Sequence, residues 1–363
     1  MTLSLHTPIC DLLGCRYPVI QTAMGWVADA RLVAAVGNAG GFGFLAAATL
    51  PSDRLEAEIR QALALTDQPF GINFHMFQAN AEQVLALIVK YRLRAASYGR
   101  GADRRSIDRL KQAGVICIPT VGAVRHARKA VEFGADALVI QGSEGGGHTG
   151  AVPTSMLLPM VLDAVNVPVL AAGGLHDGRG LAAALACGAQ GIAMGTRFLL
   201  TEESPVPATT LERYLNVRDP ASIRVSLAVD GLPQRMIDNP TLQRLERSGV
   251  VRQTWQALCS AWHYKQQAGL SLFQSLRIAL GTWRADSELS LSMAARAANA
   301  PQLIRLALSD GRPDDGVLPS GQVAANIDRL QSCAQVIETI VVQARERLLA
   351  LQTWMATTPE VKI

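Results

Sequence analysis

The segment Gln141-Gly-Ser-Glu-Gly-Gly-Gly-His-Thr-Gly150 sets one imidazole and one carboxylate in a loop rich in glycine. His148 is the candidate catalytic residue, because an imidazole gains and loses a proton near neutral pH and serves as a general base. So many glycines are costly to order. Either something approaches this backbone closely, or the backbone takes up positive φ repeatedly. Glu144 has two readings, a brace for the loop through backbone N–H groups or a second catalytic group.

Two further glycine clusters suggest an anion. AAGGLHDG (171–178) and AMGTR (193–197) each end an apolar run and precede a helical pattern, so their N–H groups converge as a phosphate cradle requires. Gly173, Gly174, Gly195 and Thr196 are the residues expected around it, while His176 and Asp177 fit helix capping. In QTAMGW (21–26), Met24 suits either packing or contact with a flat ring system. Asn73 and His75 are polar where a core strand should be apolar, and serve either neighbouring loops or a ligand. Gln322, in Ser320-Gly321-Gln322, either begins the last helix or reaches back to the pocket. Arg92, Arg94, Arg100, Arg104 and Arg105 read as a solvated face, with the phosphates of a coenzyme A tail as the other use.

These residues need elements to hold them. Eight short apolar runs alternate with helical patterns: YPVIQTA (17–23), FGFLAA (42–47), FGINFHM (70–76), LRAASY (93–98), VICIPT (115–120), DALVIQ (136–141), VPVLAA (167–172) and GIAMGT (191–196). Seven helix candidates lie between them, near 29–38, 51–65, 79–91, 103–113, 123–133, 155–165 and 177–187. Eight βα units in so short a stretch predict an α/β fold of the (β/α)₈ TIM-barrel type, whose chemistry sits at the carboxyl ends of the strands. The candidate residues follow those ends. After about residue 215 the pattern turns mainly helical, with Trp255, Trp262 and Trp283 in amphipathic stretches. The expected organisation is a barrel over 1–214, a helical cap over 215–315, and a segment over 316–363 whose helical pattern at 323–352 packs back on the barrel.

A chain of 363 residues buries roughly three quarters of its unfolded surface and needs no disulfide or metal staple. Lys+Arg number 34 against 30 Asp+Glu, a net charge of +4 with no long basic run, which offers no case for nucleic acid. Cys10, Cys15, Cys117, Cys187, Cys259 and Cys333 show no CxxC pair and no zinc spacing. That argues for reduced thiols in a cytoplasmic enzyme without a metal. No segment has the length of a membrane span or the form of a signal peptide.

PVIQTAMGWVADARLVAAVGNAGGFGFLAA, PFGINF, VIQGSEGGGHTG, VPVLAAGGLHDGRGLAAALACGAQGIAMGTRFL and SGQVA, in that order, resemble the nitronate monooxygenase (2-nitropropane dioxygenase) family. The resemblance implies a barrel that binds flavin mononucleotide (FMN), with contacts on Ala23, Met24, Asn73, Gln141, Gly146, Gly147, Ala172, Gly173, Gly174, Met194, Gly195 and Thr196. It implies His148 as base; His75, Glu144 and Gln322, from the reading of the residues themselves, are the candidates toward the substrate. Thr120 stands where the quinone-reductase branch carries lysine, and the loop reads Glu-Gly-Gly-Gly-His where Glu-Ala-Gly-Gly-His is common. Through VDGLPQRM, AANAPQLI and DDGVLPSGQVA the chain looks most like the branch that serves bacterial steroid degradation. Those enzymes are FMN-dependent acyl-CoA dehydrogenases acting on a ring C/D remnant, 5-hydroxy-7a-methyl-1-oxo-octahydroindene-4-carboxyl-CoA. Expected partners are a CoA thioester or another small molecule, an electron acceptor of unassigned kind and, as an open option, a second copy of the chain. The competing activities are oxidation of alkyl nitronates with oxygen and reduction of enoyl thioesters with NAD(P)H. A flavin-binding protein without activity is the non-enzymatic alternative.

Overall fold

Short β-branched and alanine-rich runs, each buried on both faces, are the composition that parallel strands require. In the computed structural model, which describes residues 5–76, 78–99, 103–248 and 300–356, these runs form strands in the predicted places. They are β1 (Val19–Gln21), β2 (Phe42–Ala46), β3 (Gly71–His75), β4 (Ala95–Gly99), β5 (Ile116–Cys117), β6 (Thr120–Val121), β7 (Leu138–Gln141), the two-residue β8 (Gly147–His148), β9 (Val169–Ala172) and β10 (Gly191–Met194). Apart from β8 they pair in parallel in the order β5-β4-β3-β2-β1-β10-β9-β7-β6. The first and last barrel strands meet, with Ile20 opposite Ala193.

The two ends of that order are halves of one run. Pro119 has no N–H to give the ladder, so the expected fifth strand splits at the proline. Ile116 and Cys117 pair with Ala95 and Ala96 of β4, while Thr120 and Val121 pair with Val139 and Ile140 of β7. Between them the Ile118 amide donates to the Ala96 carbonyl and the Val139 amide to the Pro119 carbonyl, and the barrel closes.

Alternation sorts the side chains. Ile20, Phe44, Ala95, Val139, Leu170, Ala172 and Ala193 point inward, and Val19, Leu138, Ile140, Val169 and Ile192 face the surrounding helices. The helix Pro8–Leu13 plugs the amino end with Ile9, Cys10 and Leu13. Seven outer helices occupy the predicted intervals: Ala30–Asn38, Ser52–Leu65, Ala81–Lys90, Arg104–Gln112, Val124–Glu132, Thr154–Leu162 and Gly178–Ala186. The eighth position is filled from far along the chain by Cys333–Ala356, which packs on Gly178–Ala186 and Ala30–Asn38.

That helix starts later than the pattern at 323–352 implied. Gln322–Asn326 is a separate 3₁₀ turn. Ser332 and Gln335 then form a reciprocal capping box: the Gln335 amide donates to Ser332 Oγ, and the Ser332 amide to Gln335 Oε1. Local hydrogen bonding outweighed the apolar period.

Beyond the barrel lie the helices Ala208–Leu215, Pro240–Arg247 and Ala300–Leu308, together with a small sheet that periodicity did not reveal. Strands β11 (Ile223–Ser226), β12 (Gln234–Ile237) and β13 (Leu318–Pro319) pair antiparallel, and β8 of the glycine loop joins β12. Trp255, Trp262, Trp283, Cys259 and Arg100 lie outside the described residues. Among the described residues no helix is long and apolar enough to cross a membrane.

Candidate active site

The glycine loop is pinned on three sides. On the barrel side the Gly142 amide donates to the Ala172 carbonyl, and Thr154, which opens the helix Thr154–Leu162, sits so close that a Cβ on Gly142 would meet it. Toward the C-terminal segment, a Cβ on Gly146 would lie 2.6 Å from the Gly321 nitrogen. Toward the small antiparallel sheet, Gly147 and His148 pair with Arg235 and Gln234 of β12. Close approach of neighbouring backbone therefore accounts for Gly142 and Gly146, whereas Gly147 takes φ +68° to turn the chain into β8.

His148 projects from this bridge with its side chain 43% exposed. Its Nε2 lies 2.7 Å from Oδ2 of Asp230, a residue only 4% exposed. Oδ1 of Asp230 accepts from the Leu232 amide at 3.0 Å, and the His148 carbonyl accepts from Gln141 Nε2 at 2.8 Å. Asp230 went unnoticed in the sequence because 82 residues separate it from the histidine. The available signal was the Asp230-Gly231 pair between two short apolar runs, which marks a hairpin tip. Arg235 was missed as well. Its Nε donates to the Ser143 carbonyl and its Nη1 to the Ile223 carbonyl, and burial holds its pKa below the ordinary arginine value against the pull of Glu144.

Glu144 is engaged inside the loop. Its carboxylate accepts from the Thr154 amide at 2.9 and 3.2 Å and from Thr154 Oγ1 at 2.9 Å, so it caps the helix from a distance. Gln322 stands beside it, the Gln322 amide donating to the Glu144 carbonyl at 3.0 Å, and the Gly321 amide donates to Thr196 Oγ1 at 2.9 Å. The Ser320–Gln322 stretch thus reaches back over the barrel instead of opening the long helix.

The rest of the mouth is lined from the barrel. Asn73 Nδ2 donates to Ser97 Oγ at 3.2 Å, His75 is exposed at the end of β3, and Gln141 ends β7. Gly173 and Gly174 follow β9 with φ +99° and +74°. Met24 approaches Gly195, where an added Cβ would stand 3.4 Å from its Sδ, and Ala23 precedes it on the same loop. Ala172 and Met194 are almost wholly buried, at 5% and 2%, and offer the mouth little beyond backbone. Among the described residues, Arg94 does not share a face with Arg104 and Arg105. Arg94 donates to the Leu12 carbonyl of the plug helix at the opposite end, whereas Arg104 and Arg105 begin the helix Arg104–Gln112 beyond β4.

A closed parallel barrel with a histidine, a buried carboxylate partner and converging glycine loops at its carboxyl mouth defines a (β/α)₈-barrel enzyme. Comparison with known proteins gives the class: the chain is an oxidoreductase and belongs to the nitronate monooxygenase family, whose profile matches residues 6–85 and 74–343. It is 46% identical over 345 residues to a Mycobacterium tuberculosis protein named (3aS,4S,5R,7aS)-5-hydroxy-7a-methyl-1-oxo-octahydro-1H-indene-4-carboxyl-CoA dehydrogenase, covering 94% of this chain and 97% of that one. The protein of the same name from Rhodococcus jostii is 44% identical over 348 residues, covering 96% and 98%. Among solved structures, FabK from Thermotoga maritima superposes with a TM-score of 0.77 at 29% identity, covering 96% of this chain and 99% of that one.

Proposed function

We propose that this protein is an FMN-dependent acyl-CoA dehydrogenase of steroid breakdown, which places an α,β double bond in 5-hydroxy-7a-methyl-1-oxo-octahydroindene-4-carboxyl-CoA. The observation that carries the reading is the identity of 46% and 44% to two dehydrogenases of that name over nearly their whole length, cap region included. We infer a cytoplasmic enzyme with a CoA thioester as its small-molecule partner.

The residues present suit FMN. Consecutive glycines at positive φ after β9, with Gly195 and Thr196 after β10, offer backbone N–H groups and a hydroxyl to a phosphate. A Cβ on Gly147 in the glycine loop, or on Gly99 at the end of β4, would meet no atom within 4 Å, so the backbone at these two points is open to a ligand. Ala23, Met24, Asn73, Gln141, Gly146, Ala172 and Met194 complete the proposed contacts. Bound FMN would supply the two-electron sink that accepts a hydride from the β-carbon. His148 removes the α-proton, a contribution of about 10²–10⁴-fold for a positioned base. The developing enolate needs donors, which the loop amides or Gln322 provide. His75 borders the substrate, and Glu144 keeps the loop in shape.

The test is anaerobic mixing of the flavin-loaded protein with the saturated indane-carboxyl-CoA thioester, with a 2-enoyl thioester plus NADH, and with an alkyl nitronate. Flavin absorbance should be lost rapidly with the first alone. Bleaching by NADH, or by the nitronate in preference to the thioester, would replace this reading with enoyl reduction or nitronate oxidation respectively.

A further inference from the structure

We propose that Asp230 is the positioning residue of this site, fixing His148 so that Nδ1, and not Nε2, takes the substrate proton. The inference rests on His148 being the base of the proposed reaction, and names the atom and the group that holds it. An ionised carboxylate accepts hydrogen bonds and donates none. With Asp230 Oδ2 at 2.7 Å from Nε2, the neutral imidazole carries its hydrogen on Nε2, and its lone pair sits on Nδ1. No hydrogen bond to Nδ1 occurs among the described residues.

The carboxylate is itself fixed. It is buried, and Oδ1 accepts from the Leu232 amide across the turn of the β11–β12 hairpin. The same hairpin also holds the backbone of the base, since Gln234 is the direct partner of His148 in the ladder. One end of the ring and the Cα it hangs from are therefore set by a single rigid unit, which leaves Nδ1 as the nitrogen open to a proton. Among the described residues the charged groups around it are few. Asp230 faces it from the hairpin tip, Arg235 stands one residue along β12 with its guanidinium on the Ser143 and Ile223 carbonyls, and Glu144 of its own loop is engaged by Thr154. When Nδ1 has taken the α-proton the ring is an imidazolium, and Asp230 is the carboxylate in hydrogen-bonded contact with it.

The test is a long-range ¹H–¹⁵N correlation on the flavin-loaded protein labelled at histidine nitrogen, at mildly alkaline pH, with the His148 signal assigned by its loss in His148→Gln. Wild type should show the Nε2–H tautomer. Asp230→Asn, whose amide can turn to donate to Nε2, should shift the signal toward Nδ1–H. It should also slow thioester-driven flavin reduction by roughly 10²–10⁴-fold, the range of a positioned base, with KM within a few-fold. Asp230→Glu should recover part of the rate. An Nδ1–H tautomer in wild type overturns the proposal, and this result needs no Asp230 variant to fold. So does an Asp230→Asn protein with unchanged tautomer and rate. If His148→Gln reduces its flavin as fast as wild type, the base assignment fails. If that variant is slow while Asp230→Asn is not, the base stands and only the role of Asp230 falls.

Discussion

His148 and Glu144 share one loop, yet the fold treats them differently. The imidazole is left partly open with, among the described residues, a single side-chain partner, whereas the carboxylate spends its oxygens on Thr154. His148→Ala should therefore lower the rate of flavin reduction by roughly 10²–10⁴-fold, and because it takes the Nε2 partner from the buried Asp230 carboxylate it should also lower the denaturation midpoint, by the equivalent of about 1–3 kcal/mol. Glu144→Ala should touch stability alone. It strips the Thr154 amide of its acceptor at a cost of about 1–3 kcal/mol in urea unfolding, while the rate per folded molecule stays within a few-fold. The histidine was legible because its loop follows an apolar run at a barrel strand's carboxyl end. Its partner was not, because Asp230 reaches it only through the pairing of β8 with β12, and nothing local to either residue encodes that pairing.

Elements were legible where one physical rule dominated. Apolar runs bounded by turn residues gave the strands, and the 3.6-residue period gave the helices between them. Departures arose where a second rule acted. Pro119 divided the fifth strand, the Ser332–Gln335 box delayed the last helix, and Ile223–Ser226 and Gln234–Ile237, each broken by an arginine, are strands where a mainly helical stretch was expected. Ser332→Ala should cost about 0.5–2 kcal/mol, read as a shift in the thermal unfolding midpoint. Between the helices Ser52–Leu65 and Ala81–Lys90, Glu56 meets Lys90, Tyr91 and Arg60. The Lys90 ammonium, followed by the other two, holds its carboxyl down at about 2. A depressed carboxylate stabilises the fold above its unfolded value near 4.5, and that contribution is lost as pH falls toward 2. The stability difference between wild type and Glu56→Gln should accordingly be largest at neutral pH, small because the pair is exposed, and gone near pH 2 in a pH series of urea titrations.

At the scale of the whole molecule, the barrel depends on a helix that its own βα repeats do not supply. Gly178 lies under Cys333–Ala356 so closely that an added Cβ would stand 2.4 Å from the Ile340 carbonyl oxygen and 2.5 Å from the Ala344 nitrogen. The Gly178 amide donates to Gln343 Oε1 across the same contact. Gly178→Ala should cost roughly 1–3 kcal/mol in chemical denaturation, since backbone must move to admit the methyl group. The arrangement also has a meaning in time. A ribosome adds about 5–20 residues per second, and the stretch from Met194 at the end of β10 to Cys333 takes on the order of 10 s to make. Throughout that interval the groove that Ile337, Ile340 and Ala344 later fill stands open on a barrel whose wall is already complete. An apolar groove that the finished protein hides is thus exposed while the chain is being synthesised.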